Sequence, residues 1–146
     1  MRALHADTGY LLYRLGLRSG SLFNSALEQH GLRLRHYALL RYLATVEGAR
    51  QRELSSRLGY DPSAIVGLVD DLQRLGLTER RPDPGDRRNR IVVLTEEGRK
   101  LLRDSDRDAA HVTERLLAPL DEEQRRALHE LLLRVTEGRP DGQSTL

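Results

Sequence analysis

The sequence predicts a mainly α-helical chain carrying one small β-hairpin, and three observations predict it. Apolar residues recur every three to four positions through most of the 146 residues, the spacing changes to two between Leu77 and Leu94, and glycines stand just past the ends of helical stretches. The length suits one cored domain and is too short for two independent domains with a linker, so residues 1-146 are expected to form a single domain.

Leu4 to about His30 repeats at Leu4, Leu11, Leu15, Leu22 and Ala26 and reads as one long amphipathic helix, with Gly31 placed to end it. Leu34 to Val46 continues the pattern through Leu39, Leu40, Leu43 and Val46 before Gly48. Ala49 to Leu58 carries Leu54 and Leu58 and ends at Gly59-Tyr60. Asp61-Pro62 then looks like an N-cap followed by proline at the first helical position. The helix it opens runs to Leu75, with Ile65, Leu68, Val69, Leu72 and Leu75 inward and Gly76 as its terminating glycine. Leu77-Thr78-Glu79-Arg80-Arg81 and Asn89-Arg90-Ile91-Val92-Val93-Leu94 read as two strands around the polar turn from Pro82 to Arg88. Thr95, Glu96 and Glu97 open a very polar helix ending near Pro119. Asp121-Glu122-Glu123-Gln124 opens the last, with acids in the first turn where the helix dipole favours them, and Leu128, Leu131, Leu132 and Val135 on one side. Gly138 onward reads as a loose tail, residues 139-146.

Composition excludes several function classes. With no cysteine there are no disulfides, thiolate metal sites, thiol nucleophiles or cysteine redox sensors. There is no apolar run of 18 residues, and the first residues lack the apolar core of a secretory signal, so a cytoplasmic protein without membrane contact is expected. His111, Asp104 and Asp108 share a helical face but read as a solvated stripe, and His5, His30 and His129 as isolated, so no metal and no cofactor are expected. No Ser, His and Asp set suggests catalysis, and no glycine-rich phosphate loop is present; the chain is not expected to be an enzyme. The formal charge is only +2, and Lys100 is the one lysine beside many arginines. Between Arg74 and Arg90, six Arg (74, 80, 81, 87, 88, 90) face three acids (Glu79, Asp83, Asp86), a local basic patch suited to phosphate.

Gln51 to Leu58 and Pro62 to Leu75 have the dimensions of a helix-turn-helix, whose second helix enters the major groove. The pattern exposes Ser63, Ala64, Val66 and Gly67 at the start of that second helix, small residues that let the backbone approach base edges. An ordinary helical hairpin has the same dimensions; the basic turn that follows favours the DNA reading. Its Arg87, Arg88 and Arg90 sit where a positive tip can reach a minor groove, and Asp86 beside them could accept a hydrogen bond from a guanidinium and fix its direction.

From Gln51-Arg52-Glu53-Leu54-Ser55-Ser56-Arg57-Leu58-Gly59-Tyr60-Asp61-Pro62-Ser63, through Leu75-Gly76-Leu77-Thr78-Glu79-Arg80 and Asp83-Pro84-Gly85-Asp86-Arg87-Arg88, to Leu94-Thr95-Glu96-Glu97-Gly98, the chain resembles the multiple-antibiotic-resistance-regulator (MarR) family. The resemblance covers essentially the whole chain. It implies a winged helix-turn-helix lobe over residues 34-95 and dimerisation helices over residues 1-33 and 96-138. The implied molecule is a homodimer reading a pseudo-palindrome of double-stranded DNA. The first and last helices carry apolar stripes larger than a monomer of this size would easily bury, which fits such a dimer. Carried over by position, Gln51 and Arg57 would meet the DNA backbone, Ser63, Ala64 and Gly67 the major groove, and Arg87, Arg88 and Arg90 the minor groove, with Asp86 at the wing tip. The family often has Thr and Arg where this chain has Val66 and Gly67, so base readout leans on the wing and on DNA shape.

Members of the family commonly release DNA when a small, often anionic and aromatic, molecule binds beside the DNA-binding lobe. Tyr10, Arg14, His36 and Tyr37, with Tyr13 and Arg18 nearby, are the candidates for a phenolic or other aromatic effector, through stacking, a hydrogen bond and a charge pair. The same tyrosines also suit core packing with the hydroxyl at its edge. The expected function is a sequence-specific transcriptional regulator, usually a repressor in this family. A helical homodimer whose basic hairpin binds an acidic protein is the alternative.

Overall fold

The computed structural model describes residues 2–138; the expected tail, 139-146, lies outside them. The elements in chain order are α1 (Arg2–His5), α2 (Thr8–Leu27), a 3-10 turn (Glu28–His30), α3 (Leu34–Leu43), α4 (Gln51–Leu58), α5 (Pro62–Arg74), β1 (Thr78–Pro82), β2 (Arg90–Leu94), α6 (Glu96–Leu116) and α7 (Glu122–Glu137). The mainly α architecture with one antiparallel hairpin is as the sequence predicts. The chain divides into two compact units, Met1–Val112 and Thr113–Leu146.

In the first unit the expected single helix from Leu4 to His30 is broken. Asp7 stands extended between α1 and α2 and its carboxylate accepts the Tyr10 N–H at 2.9 Å, an N-cap that starts a new helix where apolar spacing alone reads straight through. The C-terminal end tightens into the 3-10 turn, and Gly31 closes it at φ 70, a left-handed value that favours glycine. The hairpin pairs Thr78 with Leu94 through to Pro82 with Arg90. Ala49, just before α4, adds an antiparallel bridge to Val92, so the segment entering the helix pair is hydrogen-bonded to the hairpin itself.

The core gathers Leu27, Leu39, Leu40, Leu54, Ile65 and Leu72, all fully buried, with Val92 and Leu102 completing it from β2 and α6. At about 1.5–3 kcal/mol for each fully buried aliphatic side chain, this cluster is what fixes α3, α4, α5 and the hairpin against one another. A second joint lies where α5, β1 and α6 meet. The Thr95 N–H donates to Leu77 O and its hydroxyl to Gly76 O, while Gly98 N–H donates to the Thr95 Oγ1. A Cβ on Gly98 would stand 2.1 Å from Leu77 O, so only glycine lets α6 start there.

Long-range polar pairs correct two expectations. Asp108 is not merely solvated and His30 is not isolated: His30 Nε2 lies 2.6 Å from Asp108 Oδ2, which also accepts from Gln29 at 3.1 Å. Asp104 pairs with Arg107. Among the described residues no group of three His, Asp or Glu is placed to hold a metal ion, and no helix is long and apolar enough to cross a membrane.

Exposed apolar side chains concentrate on two helices. In the first unit, α2 presents Leu11, Leu12, Tyr13, Leu15 and Leu17. In the second, α7 opens with a reciprocal cap between Asp121 and Gln124, and it exposes Leu131, Leu132, Leu133 and Val135.

Candidate nucleic-acid interface

Two helices and a hairpin build the candidate site. Helix α4 ends at Gly59, whose φ of 68 turns the chain sharply, and Ser55 Oγ donates to Tyr60 O at 2.6 Å to hold that turn. Arg35 lies over the Tyr60 ring at 5.1 Å. Asp61 then caps α5, accepting the Ala64 N–H at 3.0 Å and the Ser63 hydroxyl at 2.5 Å, and Pro62 at the first helical position cannot extend the helix backwards. The Ser63 hydroxyl and then the Ala64 N–H hold the Asp61 carboxyl below the usual aspartate range. As the sequence predicts, Ser63, Val66 and Gly67 are exposed on the outer face of α5 while Ile65 and Val69 are buried; Ala64, expected exposed, is half-buried, and Leu75, expected inward, is exposed just past the last turn of the helix. Beyond Gly67 there is open space.

The wing is fastened at two points that sequence reasoning missed. Arg50 donates from Nε and Nη2 to Asp83 Oδ2 at 2.8 and 2.6 Å, tying the residue before α4 to the base of the hairpin loop. The Gly85 N–H and then Arg50 hold the Asp83 carboxyl below its ordinary range. Arg80, half-buried on β1, reaches three other side chains: Gln51 Oε1 at 2.9 Å, Asp70 at 2.7 Å and Gln73 at 2.5 Å. Strand alternation was the available signal, since it turns Arg80 toward the helices and Arg81 outward, where Arg81 pairs with Glu79.

Gln51 is therefore held with its carbonyl oxygen on Arg80, which leaves its amide N–H groups as donors. Arg57 is exposed on α4. Asp86 acts differently from the expectation that it orients a guanidinium: it accepts the Arg88 backbone N–H at 3.1 Å and the Asn89 amide at 2.8 Å, shaping the loop and leaving the guanidinium groups outward. Arg90 folds back, donating to Arg80 O at 3.2 Å. Arg87 and Arg88 stand exposed at the tip, and among the described residues neither forms an ion pair.

The four effector candidates fall into two sets with different partners. On α2, Arg14 lies over the Tyr10 ring at 5.9 Å and approaches His5 Nε2 at 3.5 Å. On α3, His36 Nδ1 accepts the Arg33 N–H, which places the proton on Nε2 facing Asp71 at 3.3 Å. Tyr37 packs against the core and donates to Asp106 at 2.7 Å; burial and that carboxylate push its pKa up to about 12.

A capped recognition helix, an anchored hairpin and unpaired arginines at its tip together define a winged helix-turn-helix DNA-binding protein. A model described as the MarR family matches residues 30–89. The HTH-type transcriptional repressor Rv2887 of Mycobacterium tuberculosis is 32% identical over 130 residues, covering 86% of this chain and 94% of that protein. CouR from Rhodococcus jostii RHA1 bound to p-coumaroyl-CoA aligns with a TM-score of 0.83 at 37% identity, covering 92% of this chain and 95% of that one. The transcriptional repressor CouR bound to a 23-mer DNA duplex aligns with a TM-score of 0.84 at 30% identity, covering 91% and 94%. The chain belongs to the MarR family of transcriptional regulators.

Proposed function

We propose that this protein acts in the cytoplasm as a homodimeric repressor that binds a pseudo-palindromic DNA site, catalyses no reaction, and releases DNA on binding a small aromatic acid or a conjugate of one. In this reading residues 34-95 form the DNA-binding lobe and residues 1-33 and 96-138 the dimerisation helices. The observation that carries it is the wing: a hairpin anchored through Arg50 and Arg80, presenting Arg87 and Arg88 with no acidic partner among the described residues, beside an exposed recognition-helix face. An anchored tip loses little conformational entropy when its arginines insert into a minor groove.

In this proposal the individual residues take the roles that the family resemblance implies. Gln51 donates to phosphate, Arg57 adds positive charge from α4, Ser63, Ala64 and Gly67 approach base edges, and Arg90 supports Arg87 and Arg88 at the minor groove. The apolar faces of α2 and α7 supply the dimer contact. The p-coumaroyl-CoA bound by CouR supports an aromatic acyl effector, with Tyr10 and Arg14, or His36 and Tyr37, as its protein partners.

The test is a selection from random duplex DNA with purified protein, followed by titration of the enriched sequence at two salt concentrations. An inverted repeat with half-sites about one helical turn apart supports the proposal. Salt-dependent binding with no preferred sequence overturns it in favour of a basic hairpin that binds acidic partners.

A further inference from the structure

We infer that Ser63 reads DNA only as a hydrogen-bond acceptor, so that each half-site contains one position where an amino-bearing base, adenine or cytosine, is required on the contacted strand and guanine or thymine is rejected. This rests on the proposal that the start of α5 enters the major groove.

The inference follows from counting protons. A serine hydroxyl has one proton to donate and two lone pairs to offer. Ser63 donates that proton to Asp61 Oδ1, 2.5 Å away, and the same oxygen accepts the Ala64 N–H. Asp61 is held ionised by these donors, so it has no proton to give back. The exposed side of Ser63 therefore carries lone pairs alone. Its neighbours supply no donor to compensate. Ala64, Val66 and Gly67 have no polar side-chain atom, and Pro62 has no N–H. Asp61 itself adds negative charge beside the serine.

In the major groove, guanine presents O6 and N7 and thymine O4, all acceptors, whereas adenine N6 and cytosine N4 carry the amino donors. Facing an acceptor-only serine, the first pair meets lone pair with lone pair and the second makes a hydrogen bond. In the major groove every base pair presents one amino group, on one of its two strands, so the resulting code is neither A·T against G·C nor purine against pyrimidine. It is amino against keto on a chosen strand, and an adenine and a cytosine are interchangeable there.

The experiment compares the sequences enriched by the full-length wild-type protein and by Ser63→Ala, then binds the wild-type protein to its own best site with the single amino group deleted, using purine for adenine or 2-pyrimidinone for cytosine. The wild type is expected to show one amino-selective position per half-site, and Ser63→Ala to lose about five-fold discrimination there and nowhere else. Deleting the amino group weakens wild-type binding about as much and leaves Ser63→Ala binding unchanged. Asp61→Asn retains a cap oxygen while loosening the hydroxyl, and it relaxes the same position toward guanine and thymine. If the wild type enriches no sequence, the DNA-reading proposal itself fails. If it enriches a repeat that Ser63→Ala reproduces unchanged, or the Ser63-dependent position prefers guanine or thymine, the acceptor assignment fails and the regulator remains.

Discussion

At the scale of single residues, the direction of each polar group matters more than its presence. Arg88 is the clearest case, because Asp86 binds its backbone N–H and frees its guanidinium. Arg88→Ala is expected to weaken binding to the selected DNA about ten-fold and to reduce the salt slope by about one unit while leaving the oligomeric state unchanged, measured by titration and sedimentation. Thr78 illustrates the converse: it is buried, and among the described residues its hydroxyl has no hydrogen-bond partner. Thr78→Val is expected to raise unfolding stability by about 1 kcal/mol, read from the denaturant midpoint at constant slope. Tyr37 gives a pH dependence. Its neutral phenol donates to Asp106, so the stability it contributes is complete below the ordinary tyrosine range near about pH 10. That stability is lost as the pH rises toward the shifted value of about 12. Thermal midpoints should fall over that alkaline window for the wild type and fall less for Tyr37→Phe.

At the scale of elements, the Gly98 contact sets how closely α6 approaches β1. Gly98→Ala puts a methyl against the Leu77 carbonyl oxygen and is expected to cost at least about 2–3 kcal/mol, measured by chemical denaturation. The glycine after Leu94-Thr95-Glu96-Glu97 was legible as a pattern, but its reason was not, since the atom it avoids lies 21 residues away on another element. The same division holds elsewhere. Apolar period, caps and turn glycines marked α3 to α7 and the hairpin, including Asp61-Pro62 and Gly59. The break at Asp7 was missed because Leu4 and Leu11 remain in phase across it. Asp86 was correctly placed at the wing tip and wrongly aimed, because neighbours in sequence do not reveal whether a carboxylate takes a side chain or the backbone. The Arg50–Asp83, Arg80–Asp70 and His30–Asp108 pairs were invisible for the same physical reason: each joins elements that only the folded core brings together.

At the scale of the whole molecule, the exposed leucines of α2 and α7 point to association. Leu131 lies on the apolar face of α7, and Leu131→Asp places a charge where a partner's hydrocarbon is expected, so sedimentation should show monomer where the wild type shows dimer. DNA binding should fall with it, since one lobe grips only one half-site. The joint at Gly76, Leu77, Thr95 and Gly98 has a mechanical consequence of its own. It clamps the far end of α5 to the near end of α6, so the two helices behave as arms of one bell-crank with its pivot at Thr95. The 13 residues of α5 make an arm about 20 Å long, and a rotation of about 5° at the pivot swings its free end, where Ser63 sits, through about 2 Å. If Ser63 meets a base edge as proposed, a displacement that size separates the hydrogen-bonded pair, so torque applied to α6 would disengage it without distorting either helix.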